Sequence, residues 1–362
     1  MTKAPSDTKL NRSLGFFSLT FYGVGVIIGA GIYSIIGAAA QAAGTGLWLS
    51  FILAAVVALL SALSYAELST CFPKAGAEYL YLRKAWPKLR SISFIVGILV
   101  AITGATTSAT VSVAFAGYLQ TIISLPTALV AAALLIICSI INLIGIRESS
   151  WVTIGCTIIE VGGLFLIIGF GVSAPSFGDA LFQSVHIGVF SGAALIFFVY
   201  TGFESLANLS EESKKPERDL PWALLTSLAV TTVLYILVGL SALALTSPEK
   251  LGASDSPLST ALQTVSPQFA SALSWIALFS TANTALITML VASRILYGMG
   301  NGGDLPKIFS NTLSKRKSPW LATLAVLAFA LCLLPLGKVA VMGSVSSLIT
   351  LISVSYTHLR AH

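Results

Sequence analysis

Two glycine-broken stretches and a few isolated acids carry most of the chemistry this sequence can offer. The first stretch, Gly23-Val24-Gly25-Val26-Ile27-Ile28-Gly29-Ala30-Gly31-Ile32-Tyr33, places four glycines within nine residues of an apolar run. Each glycine weakens a helix by about 1 kcal/mol, and a backbone group left unpaired at membrane depth costs several kcal/mol. Such backbone is tolerated where it lines a cavity, and there its N–H and C=O groups can bind a ligand. The stretch therefore reads as half of a substrate site. A second break, Thr201-Gly202 within Phe197-Phe198-Val199-Tyr200-Thr201-Gly202-Phe203-Glu204-Ser205, follows Gly29 by 173 residues. Corresponding interruptions in two halves of a chain point to a binding site near the bilayer midplane.

Glu160 stands inside another apolar run. An intramembrane carboxylate is a functional candidate by default, here as a proton carrier or a cation ligand. Glu204, just past the second break, reads as part of a gate or polar network, and Glu67 as the inner end of the second run. Catalytic alternatives are poorly supplied. His186 is the only histidine before the last few residues, and the four cysteines show no CxxC spacing. A histidine metal site or a nucleophilic triad is thus disfavoured. No metal and no cofactor is expected.

The elements that must hold these residues are membrane helices. The chain is 56% hydrophobic and 9% charged with a mean hydropathy of +0.91, whereas soluble domains carry about 25% charged residues. Ten apolar segments cover 15–40, 47–70, 92–122, 126–146, 150–172, 186–209, 221–246, 266–298, 319–337 and 339–354. They are too long and too uniformly apolar for barrel strands. A cleaved signal peptide is the rival reading of the first, which is too long and too glycine-broken for one. Pro216 and Pro221 should stop the sixth span and start the seventh.

With a cytoplasmic N-terminus, seventeen Lys and Arg fall inside and only Lys250 and Lys338 outside. This positive-inside bias sets the expected orientation. The net charge of +6 is then topological, and nucleic acid is not an expected partner; the lipid bilayer is. Five spans per half is an odd number, so the halves must be inverted: repeat one at about 15–172 and repeat two at about 186–354, forming one transmembrane transporter domain over 1–354. The last apolar segment is short for a span. Residues 355–362 read as a non-native tail, with the fold truncated in or after helix 10.

The chain resembles the amino acid–polyamine–organocation superfamily, most closely its bacterial permeases of the cationic amino acid transporter type. The matching stretches are Gly-Val-Ile-Ile-Gly-Ala-Gly-Ile-Tyr in span 1, Ser-Tyr-Ala-Glu-Leu-Ser and Pro-Lys-Ala-Gly-Ala-Glu-Tyr-Leu-Tyr after span 2, Tyr-Thr-Gly-Phe-Glu in span 6, Glu-Glu-Ser-Lys-Lys-Pro-Glu-Arg-Asp-Leu-Pro behind it, and Asp-Leu-Pro-Lys-Ile-Phe after span 8. The resemblance implies an all-α five-plus-five inverted repeat with helices 1 and 6 broken. It implies that amides around Gly29, Ala30 and Gly31 hold an amino acid's carboxylate, that carbonyls of Ile27, Phe198 and Thr201 beside Gly202 take its ammonium, and that the Phe198 ring caps it. Thr103, Thr107, Ser108 and Thr288 fall near positions that line the family's pocket. Related proton-coupled permeases carry a lysine where this chain has Glu160, which leaves lysine-style coupling without its lysine.

The expectation is a multi-pass cytoplasmic-membrane transporter that moves amino acids by alternating access, with proton symport as the coupling. Exchange of amino acids or polyamines is the alternative. A channel, the rival from another class, would want a continuous polar lining that these spans lack.

Overall fold

Proline and glycine set most helix ends in the computed structural model, which describes residues 10–120, 123, 125–178, 187–254, 256–263 and 265–336. Helix α1, Phe16–Ala43, ends at Gly44, and α2, Leu47–Cys71, stops just short of Pro73. A short helix α3, Ala77–Ala85, leads into α4, Arg90–Gln120. Pro126 precedes α5, Thr127–Ile144, and Gly145 separates it from α6, Ile146–Val172. Helix α7, Val189–Tyr200, gives way to a 3-10 segment, Phe203–Glu212. Then come α8, Pro216–Leu245, the short α9, Pro248–Gly252, and α10, Pro257–Gln263. The long α11, Pro267–Gly302, and α12, Trp320–Leu333, complete the described chain.

The described residues hold seven stretches long and apolar enough to cross a membrane. Large side chains such as Leu129, Trp151, Phe165, Trp222 and Val233 stay exposed on α5, α6 and α8. In water such surfaces would drive association; against lipid they are at home. The molecule is an all-helical, multi-pass membrane protein. The tenth expected segment, 339–354, the tail 355–362 and His186 lie outside the described residues.

One placement differs from the sequence expectation. Pro221 does not begin the seventh span. Helix α8 starts at Pro216, in the first turn, where a missing N–H is harmless, and Pro221 lies inside it.

Two apolar clusters form the core. One joins α1, α2, α7, the 3-10 segment and α8 with parts of α3, α6 and α11, and the other joins α4, α5 and α12 with a second face of α11, so that α11 belongs to both. At one end they are tied by polar bonds. Arg294 of α11 and Glu212 of the 3-10 segment, 0% and 1% exposed, form a two-pronged pair with Nη2–Oε1 at 2.7 Å and Nε–Oε2 at 3.2 Å. The Glu212 carbonyl accepts the N–H groups of Ser13 and Leu14, and Lys214 N–H donates to the Leu14 carbonyl. The start of the described chain is thereby strapped beneath the bundle. Close by, Tyr79 donates to Asp304 at 2.7 Å, and Arg83 of α3 pairs with the same carboxylate.

Candidate functional site

The interruptions of α1 and of the sixth apolar segment meet at a cavity between the two clusters. Gly29 has φ 30° and ψ −161°, outside any helical region. Gly202 has φ 119°, where α7 has ended and the 3-10 segment has yet to begin. Glycine alone adopts such conformations cheaply. A Cβ on Gly29 would lie 3.1 Å from Thr284 Oγ1, and one on Gly202 3.1 Å from the Val26 carbonyl oxygen.

The cavity has a volume of about 430 Å³, within the usual range for small-molecule sites of roughly 300–1,000 Å³. On α4 its lining runs from Val100 to Tyr118, which at 1.5 Å per residue is about 27 Å of helix. Facing this, α11 contributes Ala277, Ser280, Thr281, Thr284, Thr288 and Val291. The Thr103 hydroxyl donates to Leu99 O and the Thr288 hydroxyl to Thr284 O. With those donors used on their own helices, both offer acceptor lone pairs to the cavity.

Of the residues singled out from sequence, Ile27, Gly29, Ala30, Gly31, Thr103, Thr107, Thr201, Gly202, Glu204 and Thr288 line this space. Ser108 is not among its lining residues: fully buried, it donates to Ala105 O at 2.8 Å. It stands one residue, about 100° of helix rotation, from Thr107. The Ile27 carbonyl already accepts the Tyr235 hydroxyl at 2.8 Å, which leaves it a second lone pair. The side chain of Phe198 lies outside the described residues. Glu204 folds back so that its Oε2 accepts the Gly202 N–H at 2.7 Å, which holds the turn in place.

The four glycines between Gly23 and Gly31 of α1 do different jobs. A Cβ at Gly23 would meet Ser227 Oγ of α8 at 2.6 Å, and one at Gly25 would collide with Thr157 of α6. These two allow close helix packing, whereas Gly29 carries the break. Glu160 is absent from the cavity lining. It is fully buried on α6, its Oε1 accepting Asn283 Nδ2 of α11 at 3.0 Å while its Oε2 and Asn283 Oδ1 have no partner. The Tyr33 hydroxyl of α1 donates to the Glu160 carbonyl at 2.9 Å. Glu160 thus sits in a polar joint between α1, α6 and α11.

A family model described as amino acid permease matches residues 14–359. The chain belongs to the amino acid permease family. A branched-chain amino acid permease of Bacillus subtilis is 32% identical, with 98% of this chain covering 82% of that protein. A methylthioribose transporter of the same organism is 30% identical over 99% of this chain and 83% of its own length. The chloroplastic cationic amino acid transporter 9 of Arabidopsis thaliana is 33% identical, and the aligned part spans 58% of that longer protein. Among solved structures, a sodium-coupled sialic acid symporter in a substrate-bound, outward-open state matches with a TM-score of 0.68 at 12% identity, over 97% of this chain and 79% of that one. At that identity the likeness concerns the fold, a helical membrane transporter fold.

For this amino acid permease, sequence reasoning missed Thr110, Ser280, Thr281, Thr284 and Glu78 among the lining residues, and Asn283 beside Glu160. A signal was present in part. Thr281, Thr284 and Thr288 recur at spacings of three and four, the repeat of one helix face, inside an otherwise apolar run.

Proposed function

We propose that this chain is a secondary active transporter of amino acids that works by alternating access, with proton symport as its coupling mode. The single observation that carries the reading is a cavity within the helix bundle lined by the non-helical backbone at Gly29 and Gly202. Rocking of helices around that backbone would open the cavity to either side in turn. The similarity to amino acid permeases supplies the substrate class.

In this reading the domain is a five-plus-five inverted repeat, with the breaks in α1 and in the α7 to 3-10 segment at equivalent places. The N-terminus and the Glu212–Arg294 end face the cytoplasm, as the loop charges favour. Amides around Gly29, Ala30 and Gly31 receive the substrate carboxylate at the start of a half-helix, where the helix dipole favours an anion. Carbonyls of Ile27, Phe198 and Thr201 take the ammonium. Thr103, Thr107 and Thr288, set among Val100, Val111 and Val291, suit a neutral side chain.

Glu160 carries the coupling proton or steadies the joint that moves with it, since its unpaired Oε2 is a vacant proton site behind the break. Exchange rests on no specific observation here and is the outcome that the test must separate. An inward pH gradient across proteoliposomes should drive accumulation of labelled amino acid, and Glu160→Gln should flatten the dependence of uptake on pH. Accumulation that ignores the gradient would make the protein an exchanger, and an unchanged profile in Glu160→Gln would reduce that carboxyl to structure.

A further inference from the structure

One acid that lines the cavity has no role in the transport scheme above. Glu78, in the first turn of α3, is 2% exposed and lines the same cavity as Glu204. Asn208 of the 3-10 segment holds it: Asn208 Nδ2 donates to Glu78 Oε2 at 3.0 Å, while Asn208 Oδ1 accepts the Ala77 N–H at 2.8 Å. A carboxyl that touches the substrate cavity and is clamped to the segment following the second break is placed to sense both substrate and helix movement.

We propose that Glu78 is a second proton-binding site of the transport cycle, taking up and releasing a proton in the cavity that Glu204 also lines. Protonation neutralises one of two carboxyls that share a small apolar space. Burial pushes the Glu78 carboxyl up to about 7, against the Asn208 hydrogen bond and its own backbone N–H, with the charge of Glu204 adding to the rise. It is therefore mostly protonated near pH 6 and mostly ionised near pH 8. The titratable groups whose charge reaches it are Glu204 on the 3-10 segment and Tyr81 on its own helix. The neighbouring charges are paired among themselves, Arg294 with Glu212 and Arg83 with Asp304. When the 3-10 segment swings away from α3, Asn208 leaves the carboxylate, which changes the proton affinity with the conformation. That is the thermodynamic requirement for coupling.

This inference rests on the symport reading, and the test separates the two. In proteoliposomes the wild type should accumulate labelled amino acid under an inward pH gradient. Glu78→Gln should cut that accumulation at least tenfold and flatten its pH profile between 6 and 8. Glu78→Asp should restore a pH-dependent profile. If Glu78→Gln does not insert, Asn208→Leu serves instead. It removes a bond that favours the ionised form and should move the profile to higher pH. Failure of the wild type to respond to the gradient would sink the symport reading itself. A responsive wild type with an unaltered profile in Glu78→Gln, or in Asn208→Leu, would overturn the role of Glu78 alone.

Discussion

Gly29→Ala is expected to weaken amino acid binding by about 5- to 150-fold, while Gly31→Ala stays within about twofold of wild type. The two glycines are neighbours in sequence and both line the cavity, yet the structure separates them. Gly29 has φ 30° with ψ −161°, a conformation that costs any residue with a Cβ about 1–3 kcal/mol. Its added Cβ would also press on Thr284 Oγ1 at 3.1 Å, whereas a Cβ on Gly31 would rest against Val199 at an ordinary 3.5 Å. If the break is the carboxylate site, the strain falls on the binding-competent conformation, and 1–3 kcal/mol becomes that loss of affinity. A bulky residue at Gly31, such as tryptophan, should abolish binding by filling the space. Thermal shift with added amino acid, on protein shown to insert normally, reads all three. Wild-type affinity in Gly29→Ala and in the Gly31→Trp variant would remove the backbone from the site.

Arg294→Met is expected to destabilise the protein by about 3–5 kcal/mol, because it leaves Glu212 buried without its partner. Both residues are almost fully buried and joined through two bonds. The pair connects α11 to the 3-10 segment whose backbone also holds Ser13, Leu14 and Lys214. Replacing both partners together, Arg294→Met with Glu212→Leu, should recover much of the loss, since a buried ion pair is often no more stable than apolar residues of similar size. Thermal melting in detergent measures both. A single variant that melts with the wild type would show that the pair is solvated in the working protein.

How much of this was legible in the sequence depended on what kind of signal each feature leaves. The helical, membrane-spanning character of the chain and the non-helical backbone at Gly29 and Gly202 could be read because hydropathy and glycine act locally, within a few residues; the ten expected segments compare with seven membrane-length apolar stretches among the described residues. Which side of each helix faces the cavity could not be read in the same way. A segment that is apolar all round has no polar face to fix its rotation, so Ser108 could be chosen alongside Thr107 although only Thr107 lines the cavity. The same limit hid the division of labour in α1, where Gly23 and Gly25 answer to Ser227 and Thr157, residues more than a hundred positions away. In sequence Glu78 is one acid among Lys74, Arg83, Lys84, Lys88 and Arg90, outside the apolar runs. Its burial comes from the fold of α3 against Asn208, a contact across 130 residues. Glu160 was found because a charge inside an apolar run is conspicuous, but its partner Asn283 was not, being one polar residue among many on α11.

Counterflow tests the central claim most directly. Proteoliposomes containing the protein are preloaded with an unlabelled amino acid, diluted into the same amino acid at trace labelled concentration, and sampled over time. The account predicts a transient accumulation of label above its equilibrium level that vanishes when the interior is not preloaded, for at least one neutral amino acid. Flux indifferent to the interior, as a channel gives, a chemically altered product, or no amino acid movement at all would contradict it.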